Sequence, residues 1–219
     1  LPVDFDLARL VLPINVNFDR FNFVEGASGG SANDILRGDD STFLELELID
    51  PITGQNNALD NVNMLPNGTH SAADRIAQIN GLQALLNLTD PFSVVSTFSA
   101  GNILLGGAGS DLIEGRAGDD IIDGDAYLNT RIVNTATNIN YPNMTSALRS
   151  LMQTGNFTPD QLTVVREILT TPAGSAIDTA VYQDVFANYT LTFSTTTGAL
   201  YLEHVPLANG GGAGNDDGV

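Results

Sequence analysis

A nine-residue repeat between Gly101 and Asp125 constrains the fold of this 219-residue chain more than any other feature. The window Gly106–Glu114 matches every fixed position of the pattern G-G-x-G-x-D-x-U-x, in which U is apolar. The next window, Gly115–Asp123, matches all positions but one. This pattern is typical of a parallel β-roll, in which each repeat contributes a six-residue loop and a three-residue strand. The polar column of the repeat holds Asn102, Asp111 and Asp120.

The spacing of the repeat also predicts calcium ligands. Loop glycines adopt positive φ at little cost, so the backbone can turn several carbonyl oxygens toward one point, where the aspartate adds a carboxylate. Ca²⁺ takes six to eight oxygens at roughly 2.3–2.6 Å, more than one loop supplies. We therefore expect each ion between two loops on the same edge, eighteen residues apart in sequence. The predicted metal-ligating residues in this segment are Asn102, Gly106, Gly107, Gly109, Asp111, Gly115, Ala117, Gly118, Asp120, Gly124 and Asp125.

The same geometry predicts which loops are neighbours. The loop Gly115–Asp120 should pair with the loop that ends at Asn102, and Gly106–Asp111 should pair with Gly124–Asn129. An alternative is a surface loop rich in glycine and aspartate, since both residues are common in turns. The repeat is favoured because an apolar column runs in phase with it, and we expect that column to point inward. Its members are Leu104, Ile113 and Ile122.

A related segment lies about seventy residues upstream. Gly29–Arg37 fits the same nonapeptide, with Ala32 replacing the second-half glycine, and the next loop begins Gly38-Asp39-Asp40. We predict that this segment is an earlier turn of the same roll and that residues 50–99 are an insertion. The alternative is an independent turn before the alternating strand Phe43–Ile49. The shared roll adds Asp34, Asp39 and Asp40 as metal ligands.

The remaining segments complete a predicted fold that is mainly β with some α. Residues 1–139 are expected to form a short, split parallel β-roll with a helical insertion, and residues 140–219 a helix pair, a β-hairpin and a mobile Gly/Asn/Asp-rich tail from residue 209. Helices are predicted from 3.6-residue spacing, with a capping box at the start of the last one. Strands are predicted from alternation. The predicted helices are Ser71–Leu88, Asn143–Thr154 and Thr158–Thr170. The predicted extended segments are Leu1–Val24, Thr179–Phe186, Tyr189–Ser194 and Ala199–Val205, and residues 125–139 are predicted to form strand and loop.

Charge and composition exclude several classes of binding partner and metal site. The 26 Asp and Glu against 8 Lys and Arg give a net charge of −18, which repels nucleic acid phosphates and anionic lipid headgroups. No cysteine is present, which excludes disulfides and thiolate metal sites. No run of about 18 apolar residues predicts a membrane span. The clustered carboxylates of the repeat should repel one another without a cation, so we expect folding to depend on calcium.

The sequence gives no sign of a catalytic site. The two histidines, His70 and His204, have no partner that sequence can place. No nucleophile elbow, P-loop or HExxH motif is present. We therefore predict no catalytic residue and expect this chain not to be an enzyme by itself.

Four segments together resemble one protein family. GGSANDILRGDD, GNILLGGAGSDLIEGRAGDDIIDGDAYLN, TPDQLTVVREIL and DTAVYQDVFANYTLTF are similar to the C-terminal region of bacterial RTX (hemolysin-type) proteins with an animal-type haem peroxidase domain upstream. The resemblance implies a calcium-binding module that leaves the cell unfolded by type I secretion and folds outside it, where calcium is abundant. The chain departs from the family in its few, interrupted repeats, and it shows no haem-binding signature.

These observations leave three hypotheses for function. The first is a non-catalytic, calcium-binding module of a larger secreted bacterial protein, since the chain begins at Leu1 and ends at Val219 without terminal signals and is expected to be part of a longer polypeptide. The second is a processed subunit of an extracellular haem peroxidase or oxidase. The third is a structural or adhesive subunit that assembles with copies of itself at the cell surface.

Overall fold

The computed structural model describes residues 2, 4–6, 26–38, 76–88, 101–172 and 174–204. Short parallel strands form two of its sheets. One, here called sheet A, has the order β1 (Asp4–Asp6), β3 (Ile35–Arg37), β6 (Leu112–Glu114) and β11 (Thr179–Val181). The other, sheet B, has the order β2 (Gly26–Ser28), β5 (Ile103–Leu105) and β7 (Ile121–Asp123).

The chain passes alternately between these two sheets at the spacing of the repeat. Strands β5, β6 and β7 begin nine residues apart and belong to sheets B, A and B, and β2 and β3 show the same alternation. The upstream segment stacks on the repeat in parallel register, with Ala27 beside Leu104 and Leu36 beside Ile113. Residues far apart in sequence are therefore consecutive layers of the same two sheets.

The middle residues of β2, β3, β5, β6 and β7 build a core between the sheets. Leu36, Leu104 and Ile113 are fully buried there, and Ala27 and Ile122 pack against them. Successive side chains of a strand point to opposite faces, so the first and third residues face outward. On sheet A that outer face is open, as Leu112 is 40% exposed. The inward orientation of the predicted apolar column agrees with this core.

The outer face of sheet B is covered by part of the insertion. Ile103, Leu105 and Ile121 join a second core whose other buried members are Ile76, Leu82, Leu85, Leu86 and Ala126. The predicted continuous helix Ser71–Leu88 is wrong within residues 76–88. Ile79–Asn80 form strand β4, and helix α1 spans only Leu82–Leu86. Gly81 separates the two with a φ of 89°, a conformation that ends helical continuity.

A separate mixed sheet follows the repeat. Its long strands are β8 (Ala126–Asn134) and β10 (Leu162–Thr170), flanked by β9 (Ile139–Tyr141) and β4. The predicted helix Thr158–Thr170, and with it the predicted helix pair, is wrong. Only the turn Pro159–Gln161 is helical, with the expected capping box, and the following nine residues pair antiparallel with β8. Their β-branched side chains suit a strand once that partner is present.

The predicted helix at Asn143–Thr154 and the predicted hairpin are present, whereas only Thr179–Val181 of the predicted extended segment Thr179–Phe186 forms a strand. Helix α2 spans Ser146–Gln153, and Thr145 caps it by accepting a hydrogen bond from the Leu148 N–H. Strands β12 (Tyr189–Phe193) and β13 (Leu200–His204) form the predicted hairpin. The Tyr201 hydroxyl donates to the Leu88 carbonyl oxygen at 2.6 Å and so ties the hairpin to the insertion.

Several predicted features lie outside the described residues: most of Leu1–Val24, Asp39, Asp40, Phe43–Ile49, His70 and the tail from residue 209. Within the described ranges, no helix has the length and apolar character needed to cross a membrane.

Candidate metal centre

Two sets of loops join the sheets, one along each edge. Along the first edge, the chain runs from sheet B to sheet A through residues 29–34 and 106–111. Each of these loops begins with a glycine and ends with an aspartate that directly precedes a sheet A strand. A third layer has the same two ends, Gly124 after β7 and Asp178 before β11. Between these ends the chain forms β8, β9, helix α2 and β10.

Hydrogen bonds from backbone N–H groups to carboxylate oxygens join the aspartates of the first edge. The Asp34 N–H donates to Asp111 Oδ1 at 2.7 Å, and the Asp111 N–H donates to Asp178 Oδ1 at 2.9 Å. The strands that follow continue the ladder, since the Leu112 N–H donates to the Asp34 carbonyl oxygen and the Thr179 N–H to that of Asp111. One carboxylate oxygen in each pair therefore holds the neighbouring layer in register.

The other carboxylate oxygen of Asp111 faces a cluster of oxygens. A β-carbon placed on Gly106 would lie 2.5 Å from Asp111 Oδ2 and 2.6 Å from the Gly124 carbonyl oxygen, so both oxygens border the same small space. Asp111 is only 2% exposed, and its Oδ2 accepts no hydrogen bond. A buried carboxylate oxygen without a partner is costly unless a cation compensates it.

The negative charges of the first edge also favour a bound cation. Burial raises the pKa of the Asp111 carboxyl above its ordinary value, the hydrogen bond from Asp34 opposes this, and the carboxylates of Asp178, Asp34 and Asp125 raise it further. Within the described residues, no cluster of three or more carboxylate, imidazole or thiolate side chains could hold a metal alone. An ion here would take carbonyl as well as carboxylate oxygens, which suits a hard cation such as Ca²⁺.

The second edge repeats the arrangement with one neutral side chain. Here Asn102 precedes β5 and Asp120 precedes β7, and the Asn102 N–H donates to Asp120 Oδ1 at 2.7 Å. A β-carbon on Gly38 would collide with Asn102 Oδ1 and with the carbonyl oxygen of Gly115. These oxygens therefore converge as they do on the first edge, with an amide in place of one carboxylate.

Arg116 distinguishes the second edge further. It occupies the loop position that Gly107 holds on the first edge, and its φ of 73° lies in the region that favours glycine. Its guanidinium Nη1 donates to the Gly38 carbonyl oxygen at 2.9 Å. A side-chain cation thus already contacts one backbone oxygen of this edge.

The structure brings most of the predicted ligands together. Asp34, Gly106, Asp111 and Gly124 meet on the first edge and Asn102, Gly115 and Asp120 on the second, while Gly107, Gly109, Ala117 and Gly118 lie within these loops. Asp125 follows Gly124, and its Oδ1 accepts a hydrogen bond from Thr171.

One predicted loop pairing is incomplete. Gly124 stacks beside Gly106, but the layer does not continue to Asn129, because Asn129 lies in β8 and its side chain donates to Glu167. Asp178 takes the aspartate position instead. Sequence reasoning missed it because it lies far outside the repeat. The available signal is the match of Gly174-Ser175-Ala176-Ile177-Asp178 to Gly30-Ser31-Ala32-Asn33-Asp34.

A comparison with protein-family models identifies the repeat. Residues 97–126 match the model described as the RTX calcium-binding nonapeptide repeat (4 copies). The segment is an RTX repeat. RTX nonapeptides bind Ca²⁺, so the predicted cofactor is confirmed. The match covers the repeat alone and gives no support to a haem peroxidase parent. Neither the curated proteins nor the solved structures compared with the chain gave a match.

Proposed function

We propose that this chain is a calcium-binding RTX module of a larger secreted bacterial protein, and that its two stacked sheets form a short, split β-roll that calcium stabilises. The observation that carries the proposal is the unpartnered, buried Oδ2 of Asp111 beside the Gly124 carbonyl oxygen. RTX repeats are typical of secreted bacterial proteins. Export through a type I channel before folding fits a fold that needs a cation abundant outside the cell.

Because the roll is built from segments that are distant in sequence, bound calcium would hold these segments together. The layers of the first edge come from residues 29–34, 106–111, Gly124 and Asp178, which are joined by long excursions of the chain. Closing long loops costs conformational entropy, and their contacts recover this cost only when the layers are in place. An ion that holds carbonyls and carboxylates of two layers stabilises the folded state by mass action. Calcium therefore acts here as a link between distant segments.

The test is folding with and without calcium. Far-ultraviolet circular dichroism and thermal unfolding of the 219-residue chain are measured in excess calcium and in EGTA, with magnesium as the control for ionic strength and divalent charge. We expect the β signal and the unfolding midpoint to fall in EGTA and to recover with calcium but not with magnesium. Identical melting curves in all three solutions would refute the proposal.

Self-assembly is the second candidate, and one observation favours it. Phe193 and Leu200 face each other across the hairpin on one face, and they are 63% and 61% exposed, with Leu191 43% exposed beside them. Exposed apolar side chains grouped on one surface often mark an interaction site. Sedimentation velocity with calcium should then show concentration-dependent association that Phe193→Ser abolishes. A monomer at all concentrations would exclude this candidate.

A further inference from the structure

The third layer of the first edge is assembled from two distant pieces of chain. Gly124 lies within the RTX match, whereas Asp178 lies 52 residues beyond residue 126, the last residue matched. Between them the chain forms β8, β9, α2 and β10. Nevertheless β11 pairs in parallel with β6, with Thr179 beside Leu112 and Ala180 beside Ile113, as a next repeat would.

Asp178 occupies the position of a repeat aspartate in three respects. It directly precedes a sheet A strand, as Asp34 and Asp111 do. Its Oδ1 accepts the Asp111 N–H at 2.9 Å, matching the bond between Asp111 Oδ1 and the Asp34 N–H. A β-carbon on Gly124 would collide with Asp178 Oδ2, as a β-carbon on Gly106 would collide with Asp111 Oδ2.

The neighbouring layer, formed by residues 106–111, contains a carboxylate oxygen that needs a cation. Asp111 Oδ2 is buried without a hydrogen bond and borders the Gly124 carbonyl oxygen, so it faces the layer to which Asp178 belongs. Within the described residues, no arginine, lysine or histidine side chain hydrogen-bonds Asp111 or Asp178. A calcium ion between these layers would compensate both carboxylates.

We infer that Asp178 is a calcium ligand that completes, with the loop 106–111 and Gly124, a site outside the contiguous RTX repeat. The inference rests on the proposed calcium-dependent function and deepens it. The ion joins β11 to the roll. It therefore holds together the two ends of the segment that runs from β8 to β10. Calcium would then stabilise folded structure well beyond the repeat itself.

The variant Asp178→Asn keeps the hydrogen bond but weakens ligation. An asparagine carbonyl oxygen can still accept the Asp111 N–H, while the negative charge and one carboxylate oxygen are lost, which lowers the affinity for the ion. Asparagine is compatible with this type of turn, since Asn102 holds the corresponding position on the second edge. The matched control is Asp160→Asn, which removes one carboxylate from an exposed turn outside the loops.

Two measurements on the full chain test the inference. Equilibrium dialysis against calcium alone counts bound ions, and we expect Asp178→Asn to bind one ion fewer than Asp160→Asn at a calcium concentration that saturates the control. Hydrogen exchange then locates the loss. Calcium should slow exchange at the Thr179 amide, which donates to the Asp111 carbonyl oxygen, in the control but not in Asp178→Asn. Protection of the Ile121 amide, on the second edge, should persist in both.

The possible results are distinguishable. Equal ion counts and equal Thr179 protection in the two variants would overturn the inference while leaving the calcium-dependent function intact. A control that binds no calcium and shows no calcium effect at Ile121 would instead refute the proposed function. If Asp178→Asn loses Ile121 protection at every calcium concentration, Asp178 serves the fold rather than an ion, and the inference fails.

Discussion

Replacing Gly106 by alanine tests the oxygen cluster most directly. The added β-carbon would lie 2.5 Å from Asp111 Oδ2 and 2.6 Å from the Gly124 carbonyl oxygen, distances at which backbone or side chain must move. Gly30→Ala is the matched control. It lies in the equivalent loop, and its added β-carbon would meet nothing closer than Asp34 Oδ2 at 3.9 Å. Neither glycine has a positive φ, so the substitutions differ in crowding rather than in backbone conformation.

The expected loss of unfolding free energy in Gly106→Ala has two parts. Overpacking a close-packed site costs about 1–3 kcal/mol of unfolding free energy, and this part is independent of calcium. The same β-carbon fills the space in which the oxygens converge, so the variant should also lose the stabilisation from the ion at that site. For one site that stabilisation is about 2.7 kcal/mol when free calcium is 100 times its dissociation constant. Gly30→Ala should retain it.

Urea unfolding over a range of free calcium concentrations measures both parts. The slope of unfolding free energy against the logarithm of calcium concentration reports the ions released on unfolding, so it should be shallower for Gly106→Ala than for Gly30→Ala. The difference in unfolding free energy between the variants at the lowest calcium concentration measures the cost of overpacking. If the two variants show no such difference and have the same slope, the convergence of oxygens at Gly106 is not a metal site and the reasoning is refuted.

Three further predictions follow from other parts of the structure. Leu104→Ala, in the core between the sheets, should lose about 2–5 kcal/mol of unfolding free energy, whereas Leu112→Ala on the open face of sheet A should lose less than about 1 kcal/mol in the same urea titration. Arg116→Gly relieves a positive φ and frees the Gly38 carbonyl oxygen, so calorimetric titration should show tighter calcium binding; weaker or unchanged binding would contradict this. Hydrogen bonds from Asn188, then His204 and the Val185 N–H, lower the pKa of Asp184 to about 2. Because this pKa is lower in the folded state, its stabilisation is present above the ordinary value of 3.8 and is lost as the pH falls toward 2. In acid titrations followed by circular dichroism, Asp184→Asn should therefore lose less stability across this range than the unaltered chain does.

Local periodicity predicted the strands and loops that depend only on the repeat. Three-residue strands at 103–105, 112–114 and 121–123 follow from the nine-residue spacing, and the inward column Leu104, Ile113 and Ile122 follows from the phase of the apolar residues. Each of these features recurs every nine residues, so the aligned repeats show which positions are loop, strand and core. The hairpin β12–β13 was predictable for a similar reason, because both strands and the turn between them are local.

Predictions failed where a distant partner decided the conformation. The apolar spacing in Leu162–Thr170 fits a helix as well as a strand, and pairing with Ala126–Asn134 made it a strand. Likewise, Ile79–Asn80 pair with Arg166–Glu167, which interrupts the helix expected there. Such pairings join residues separated by tens of positions, and no local pattern contains them.

The first edge shows the same division between sequence and structure. The nine-residue spacing of glycines and aspartates was enough to predict RTX calcium-binding loops, because the ligand chemistry and the turn geometry are local. The nine-residue spacing also predicted that Gly124 lies beside Gly106 and that residues 29–37 stack on the repeat, as they do. The place of Asp178 beside Gly124 became apparent only in three dimensions, because parallel pairing of three-residue strands depends on their order in the sheet and not on their separation in the chain.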